Sequence, residues 1–113
     1  MAFSAVTETI KPGIIKITLS GELDASTAVT FKAEVEKAAA ERPKRLVLMM
    51  EELEYMASAG VRVLVFAKQK MGAGVEIMAV APQEAVLETL KLTGLERALA
   101  ILPAYDAEKI EEL

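Results

Sequence analysis

The hydroxyl group of Ser58 is the side-chain group whose sequence context points most directly to a chemical role. Ser58 lies in Met-Glu-Glu-Leu-Glu-Tyr-Met-Ala-Ser-Ala-Gly (50–60), after an apolar strand at 46–50 and before an apolar helix at 58–71. This order places the hydroxyl on the surface at a helix N-terminus, where free backbone N–H groups favour negative charge. The placement suits a phosphorylation switch. It equally suits an ordinary N-cap that stabilises the helix by about 1 kcal/mol.

Two sets of carboxylates accompany Ser58 along the chain. Glu22 and Asp24 lie in a predicted loop at 20–24, where Asp24 or Ser26 is predicted to cap the next helix. A second predicted loop, before Ser58, carries Glu51, Glu52 and Glu54. That loop is either simply solvated or part of a docking surface for a basic partner. Neither set has the spacing of a calcium loop, and no metal site is expected.

Composition excludes several classes of function. The chain of 113 residues contains no His and no Cys, so it cannot form a Ser-His-Asp triad, a thiolate nucleophile or a metal site built on those ligands. We therefore expect no catalytic residues, no cofactor and no enzymatic activity. The formal net charge of −4 argues against direct binding to nucleic acid or to an anionic membrane surface. The sequence shows neither a signal peptide nor an apolar run of membrane-spanning length, which predicts a cytoplasmic protein; oligomeric state stays open.

The pattern of apolar residues predicts an α/β fold. An antiparallel hairpin is expected first, and strands then alternate with helices, which favours a mostly parallel sheet. The predicted strands are 2–10, 14–19, 46–50, 75–80 and 99–102, and the predicted helices end near residues 40, 71, 94 and 113.

Helical spacing also predicts which side chains face the core. In the first helix these are Val29, Phe31 and Val35, and in the second they are Val61, Leu64 and Val65, on the same side as Lys68. Glycines are predicted to end two helices, at Gly72 and at Gly94, the latter in the left-handed conformation with Leu95 packing back.

Three short segments resemble the landmarks of the STAS domain, the fold of bacterial anti-sigma factor antagonists. They are Gly21-Glu22-Leu23-Asp24, Tyr55-Met56-Ala57-Ser58-Ala59-Gly60 and Leu92-Thr93-Gly94-Leu95. The resemblance covers nearly the whole chain. It implies a single STAS domain over 1–113, with an N-terminal hairpin joined to a mostly parallel sheet of four or five strands and about four helices.

The resemblance also implies a protein-binding function. In this family the first serine of an Asp-Ser-(Ser or Thr)-Gly motif is phosphorylated by an anti-sigma factor that is itself a serine kinase, and this serine corresponds to Ser58. Unphosphorylated antagonist binds the kinase and frees a sigma factor; phosphorylation ends the interaction, and a serine phosphatase restores it. The partner-binding residues implied are Glu22, Asp24, Ala57, Ser58, Ala59, Gly60 and Arg62.

The chain departs from the family motif at three of these positions. Ala57 replaces the aspartate, Ala59 replaces the second hydroxyl residue, and Arg62 replaces a small residue. Arg62 lies about four residues after Ser58, where it either pairs with a phosphate or is a solvated surface cation. These departures leave an alternative open, in which the chain is a constitutive, non-phosphorylated interaction module or scaffold. A small-ligand sensor is a weaker alternative.

Overall fold

The computed structural model describes residues 2–113, and its five strands form one sheet in chain order. The strands β1 and β2 are antiparallel, and β2 to β5 run parallel to one another. Their bounds are β1 Ser4–Lys11, β2 Ile14–Leu23, β3 Arg45–Met56, β4 Glu76–Val80 and β5 Ala100–Leu102. The predicted hairpin and the mostly parallel sheet are therefore confirmed.

Three helices cover one face of this sheet, and a fourth lies on the other. The helices are α1 Ala28–Ala40, α2 Ser58–Met71, α3 Glu84–Leu92 and α4 Ala107–Glu111, with a short 3₁₀ turn at Leu95–Arg97. Because parallel crossovers are right-handed, strands that follow chain order bring α1, α2 and α3 to the same face. Phe31, Leu64 and Leu90 from these helices share one core with the inward side chains of β2 and β3. Ile110 of α4 packs on the opposite face against Val47 and Met78.

The strands β2 and β3 are longer than predicted. The segments 20–23 and 51–56 were expected to be loops, but they pair with each other as the last part of the β2–β3 ladder. The ladder contains two register shifts, between Thr18 and Ser20 and between Gly21 and Glu22. Such β-bulges interrupt the alternation of inward and outward side chains. Both extra residues are in β3, so the period of two that marks a strand is lost over 51–56. In β2 the alternation continues to the end of the strand, with Gly21 and Leu23 buried and Glu22 exposed.

The predicted helix faces need two corrections. Val29 is 73% exposed and Val65 is 41% exposed, so neither belongs to the core. The buried residues of α1 are Ala28, Phe31, Val35 and Ala38, and those of α2 are Gly60, Val63, Leu64 and Ala67.

Two helices end at the glycines that were predicted to end them. Gly72 follows the last residue of α2 with φ 90°, and Gly94 takes the left-handed conformation with φ 77° after α3. Leu95 is buried beside it, as predicted.

Candidate functional site

The carboxyl ends of β2 and β3 bring two of the sequence landmarks together. Leu23 pairs with Met56 in the last register position of the ladder, and the backbone N–H of Ala57 donates to the carbonyl of Leu23 at 2.8 Å. Because these strands are parallel neighbours, the segments that leave them start side by side. Gly-Glu-Leu-Asp at 21–24 is thus adjacent to the turn that carries Ser58.

Ser58 is the first residue of α2, and its side chain is exposed. The N-cap position is held by Ala57, whose methyl group cannot accept a hydrogen bond. The hydroxyl of Ser58 forms no hydrogen bond with any of residues 2–113. The interpretation of Ser58 as an N-cap is therefore wrong, because this hydroxyl satisfies no helix donor.

The start of α2 has no side-chain cap. Gly60 and Val61 donate their N–H groups to the carbonyl of Ala57, at 2.9 and 3.2 Å, and these are the first hydrogen bonds of the helix. The N–H groups of Ser58 and Ala59 precede these bonds, and the N-cap residue supplies no side-chain acceptor for them. A helix start of this kind favours negative charge close by.

Gly60 holds α2 close to the two strand ends. It is buried, and a Cβ at this position would lie 2.7 Å from Cδ2 of Leu23 and 2.8 Å from Cγ of Met56. Both distances are shorter than 3.0 Å, and contacts that short between a Cβ and another heavy atom essentially never occur. The absence of a side chain at Gly60 therefore lets the first turn of α2, and Ser58 with it, lie directly against β2 and β3.

Asp24 organises the turn between β2 and α1. Its Oδ1 accepts from the hydroxyl of Ser26 at 2.7 Å, from the N–H of Ser26 at 2.9 Å and from the N–H of Thr27 at 3.1 Å. The hydrogen bond from the Ser26 hydroxyl, with help from the two backbone donors, lowers the pKa of Asp24 below its ordinary value of 3.8. Asp24 thus stays ionised at neutral pH.

The N-cap residue of α1 is Thr27, so the prediction that Asp24 or Ser26 occupies that position is wrong. The hydroxyl of Thr27 donates to the carbonyl of Glu22 at 2.9 Å and accepts from the N–H of Asp24 at 2.9 Å. Sequence reasoning did not single out Thr27. The signal for it was the run Asp-Ala-Ser-Thr, which is typical of side chains that bond to nearby backbone in turns.

Carboxylates dominate this end of the sheet, which we name the acidic end and define by Glu22, Asp24, Glu51, Glu52 and Glu54. The three glutamates predicted in a loop belong instead to β3, where their side chains are exposed. Segments 17–31 and 46–61, which include the ends of β2 and β3, contain no Lys and no Arg. The first cation after Ser58 is Arg62, whose side chain is exposed in the second turn of α2.

An exposed ridge runs along α2 from Ser58. Arg62, Val65 and Gln69 follow Ser58 at helical spacings of four, seven and eleven residues, and all four side chains are exposed. Tyr55, at the end of β3, is 48% exposed beside the acidic end. The surface around Ser58 therefore combines carboxylates with one guanidinium group and two exposed apolar side chains, Val65 and Tyr55.

The described residues contain neither a cluster of metal ligands nor a membrane-spanning helix. Within 2–113, no group of three or more acidic side chains is arranged to hold a metal ion, and no helix is long and apolar enough to cross a bilayer. A shallow cleft of about 410 Å³, lined in part by Lys68 and Arg97, lies at the opposite end of the sheet from Ser58.

Comparison with known proteins agrees with this fold. The model of the STAS domain family matches residues 5–109. RsfB, an anti-sigma-F factor antagonist of Mycobacterium tuberculosis, is 25% identical over 89 residues, which cover 79% of this chain and 73% of RsfB. An anti-sigma factor antagonist from Mycobacterium paratuberculosis superimposes with a TM-score of 0.87 at 24% identity, over 98% of this chain and 96% of that one.

A further structural relative has been solved in two states. SpoIIAA in its unphosphorylated form matches with a TM-score of 0.78 at 21% identity, over 96% of this chain and 94% of SpoIIAA. The phosphorylated form of SpoIIAA from Bacillus matches with a TM-score of 0.74 at 20% identity, over 96% of this chain and 97% of that one. Because the family model spans nearly all of it, the chain belongs to the STAS domain family, whose antagonist members regulate by binding partners and catalyse no reaction.

Proposed function

We propose that this chain is a cytoplasmic anti-sigma factor antagonist that acts as a single STAS domain over residues 1–113. Unphosphorylated, it binds an anti-sigma factor of the serine kinase type and releases a sigma factor for transcription. The kinase phosphorylates Ser58, which ends the interaction, and a serine phosphatase restores it. RsfB and the structural relatives, all named as anti-sigma factor antagonists, support the first part of this proposal.

The observation that best supports a phosphorylation switch is the free hydroxyl of Ser58. It is exposed at the first position of α2 and forms no hydrogen bond with any of residues 2–113. A serine that capped the helix would have a structural reason to be there, and this one has none. A kinase can reach the hydroxyl without breaking any contact within the described chain.

The electrostatics of the surface explain how a phosphate would act. Phosphorylation adds about −1.5 to −2 charges at pH 7. The uncapped start of α2 tolerates negative charge, so we expect the fold to be unchanged. A partner that has docked against the acidic end and the ridge of α2 would meet a new dianion in the middle of the interface. We therefore expect the affinity for the anti-sigma factor to fall at least tenfold, which is about 1.4 kcal/mol.

The experiment is intact-mass spectrometry after incubation with the partner kinase and ATP. The native chain is compared with Ser58→Ala and with Thr30→Ala, which removes an exposed hydroxyl of α1 that forms no hydrogen bond with any of residues 2–113. We expect one phosphate on the native chain and on Thr30→Ala, and none on Ser58→Ala. Thermal unfolding of Ser58→Ala should match the native chain, because the hydroxyl makes no hydrogen bond whose loss would destabilise the fold.

A second function is favoured by one observation, the alanine at position 57. Where the family motif has an aspartate beside the phosphoacceptor, this chain presents a methyl group. If the kinase binds stably, ATP does not release it and no phosphate is found, the chain is a constitutive interaction module or scaffold. A ligand sensor would instead show a thermal shift with a panel of small molecules while binding no kinase.

A further inference from the structure

Arg62 is the cation placed to meet a charge on Ser58. It follows Ser58 by four residues on the same ridge of α2, and both side chains are exposed. Its guanidinium group forms no ion pair and no hydrogen bond with any other side chain or carbonyl of residues 2–113. By contrast, Arg45 is engaged by Glu76 and by two backbone carbonyls. Arg62 is therefore available for a new partner.

The surroundings of Ser58 make Arg62 the natural counterion for any added anion. The carboxylates of the acidic end lie on or next to the ends of β2 and β3, and segments 17–31 and 46–61 contain no Lys or Arg. The other cation that reaches this part of α2 is Lys32 of α1, whose Nζ lies 4.7 Å from the centroid of the Phe66 ring, one helical turn beyond Arg62. A dianion placed on Ser58 would be repelled most by the carboxylates at the strand ends themselves, Glu22, Asp24 and Glu54, because like charges repel and the repulsion weakens with distance. Only a nearby cation can offset that repulsion.

We propose that Arg62 binds the phosphate of phosphorylated Ser58 within the same chain, an inference that rests on the phosphorylation proposed above. An acidic group followed by a basic group four residues later is the favourable order on a helix. Helical side chains lean toward the N-terminus, which directs Arg62 back over the first turn. The guanidinium group then donates two parallel N–H bonds to two phosphate oxygens.

This pairing gives the modification a second effect on the interface. In the unphosphorylated chain Arg62 is free to contact a carboxylate of the partner. In the phosphorylated chain the same guanidinium group is held by the phosphate and is withdrawn from the partner. Ala57 and Ala59, the neighbours of Ser58 in the chain, carry no carboxylate or hydroxyl that could compete with the phosphate for Arg62.

The test uses the full chain with phosphoserine installed at position 58 during translation, so that no kinase is needed. The second pKa of the phosphate, about 6 in an unperturbed phosphoserine, is measured by ³¹P NMR titration. Arg62 stabilises the dianion, so we expect this pKa to be higher in Arg62→Ala than in the native chain by roughly 0.3, and intermediate in Arg62→Lys. The difference should shrink in 1 M salt, where charges separated by more than about 3 Å are screened.

The matched control is Lys70→Ala, which removes an exposed cation from the same helix. Lys70 lies twelve residues from Ser58, about 18 Å along the helix axis and beyond the screening length at physiological salt. Its removal should leave the phosphate pKa unchanged. Equal pKa values in the native chain and Arg62→Ala would overturn the pairing, even if the kinase modifies Ser58. A raised pKa in Arg62→Ala, with no phosphorylation by the kinase, would support the pairing and refute the proposed function.

Discussion

Replacing Gly60 by alanine tests whether close packing at the start of α2 positions Ser58. The structure gives two opposing effects. Alanine is the better helix former, by about 1 kcal/mol in a helix interior. The added Cβ, however, would lie 2.7 Å from Cδ2 and 2.8 Å from Cγ of Leu23.

We expect the packing cost of the added Cβ to exceed the gain in helix propensity. Leu23 and Met56 are buried, and Cγ is the branch point of the leucine side chain, so the clash is not with a free end that can swing aside. Ordinary contact with a Cβ begins at 3.4 Å, so the neighbours or the helix must move by several tenths of an ångström. Overpacking of this kind costs about 1–3 kcal/mol. After the gain in helix propensity, we expect a net loss of about 1 kcal/mol, or roughly 4 °C in Tm.

The assay is urea unfolding of Gly60→Ala beside Gly74→Ala. No heavy atom lies within 4 Å of a Cβ at Gly74, and its φ is outside the left-handed region. Gly74→Ala should therefore be neutral or stabilise the fold by about 0.4–1 kcal/mol, because it restricts the unfolded chain. The urea midpoint of Gly60→Ala is therefore expected to fall below that of the native chain, and the midpoint of Gly74→Ala to equal or exceed it.

A Gly60→Ala protein as stable as Gly74→Ala would refute the reasoning, since the first turn of α2 would then have room for a side chain. If stability falls as expected and the variant remains folded, we expect the strain to be relieved in part by displacement of the first turn of α2 from β2 and β3. Phosphorylation of Ser58 by the partner kinase should then be slower than in the native chain, while Gly74→Ala should be modified at the native rate.

Three further predictions concern Asp24, Tyr105 and Arg45. The lowered pKa of Asp24 contributes stability above pH 3.8, and this stability is lost as the pH falls through the pKa of Asp24 in the folded chain. Ser26→Ala removes the hydrogen bond that is the main cause of the lowered pKa, so acid unfolding followed by circular dichroism should begin at a higher pH. Burial, together with its hydrogen bond to Glu111, raises the pKa of Tyr105 to about 12. The free energy of unfolding that this protonated side chain contributes below pH 10 should therefore be lost between pH 10 and 12. Tyr105→Phe should not show this loss in alkaline unfolding curves. The Arg45 guanidinium group donates to the carbonyls of residues 110 and 112 at 2.8 Å, so Arg45→Ala should destabilise the fold by about 1.5–3 kcal/mol and increase hydrogen exchange in α4; unchanged exchange would contradict a role in holding that helix.

Much of the architecture could be predicted because local signals agreed with it. The turn Lys11-Pro12-Gly13 joins β1 to β2, and Gly72 and Gly94 end helices where the sequence places them. The alternation of apolar strands and helices predicted the parallel sheet. The three family landmarks, in order, predicted the STAS fold, and the family match over 5–109 confirmed it.

The candidate site was predicted as a set of residues but not as a geometry. The sequence identified Ser58, Arg62 and the carboxylates of the acidic end. It could not show that Ala57 is the N-cap and Ser58 the first helical residue, because capping depends on backbone angles at one peptide and not on composition. It also placed Val65 in the core, although helical spacing from Ser58 puts that side chain on the same exposed ridge.

By itself, then, the sequence determined the element order and the glycines that end two helices, and it singled out Ser58, whose phosphorylation stays a prediction. These follow from local physics: apolar periodicity, glycine at positive φ and the residue types that can accept a phosphate. Only the tertiary structure decided that 20–23 and 51–56 are paired strand, because that pairing is non-local and its bulges erase the alternating pattern of β3 over 51–56. Only the tertiary structure, likewise, showed why residue 60 has no side chain: two buried side chains from separate strands already occupy the space a Cβ would need.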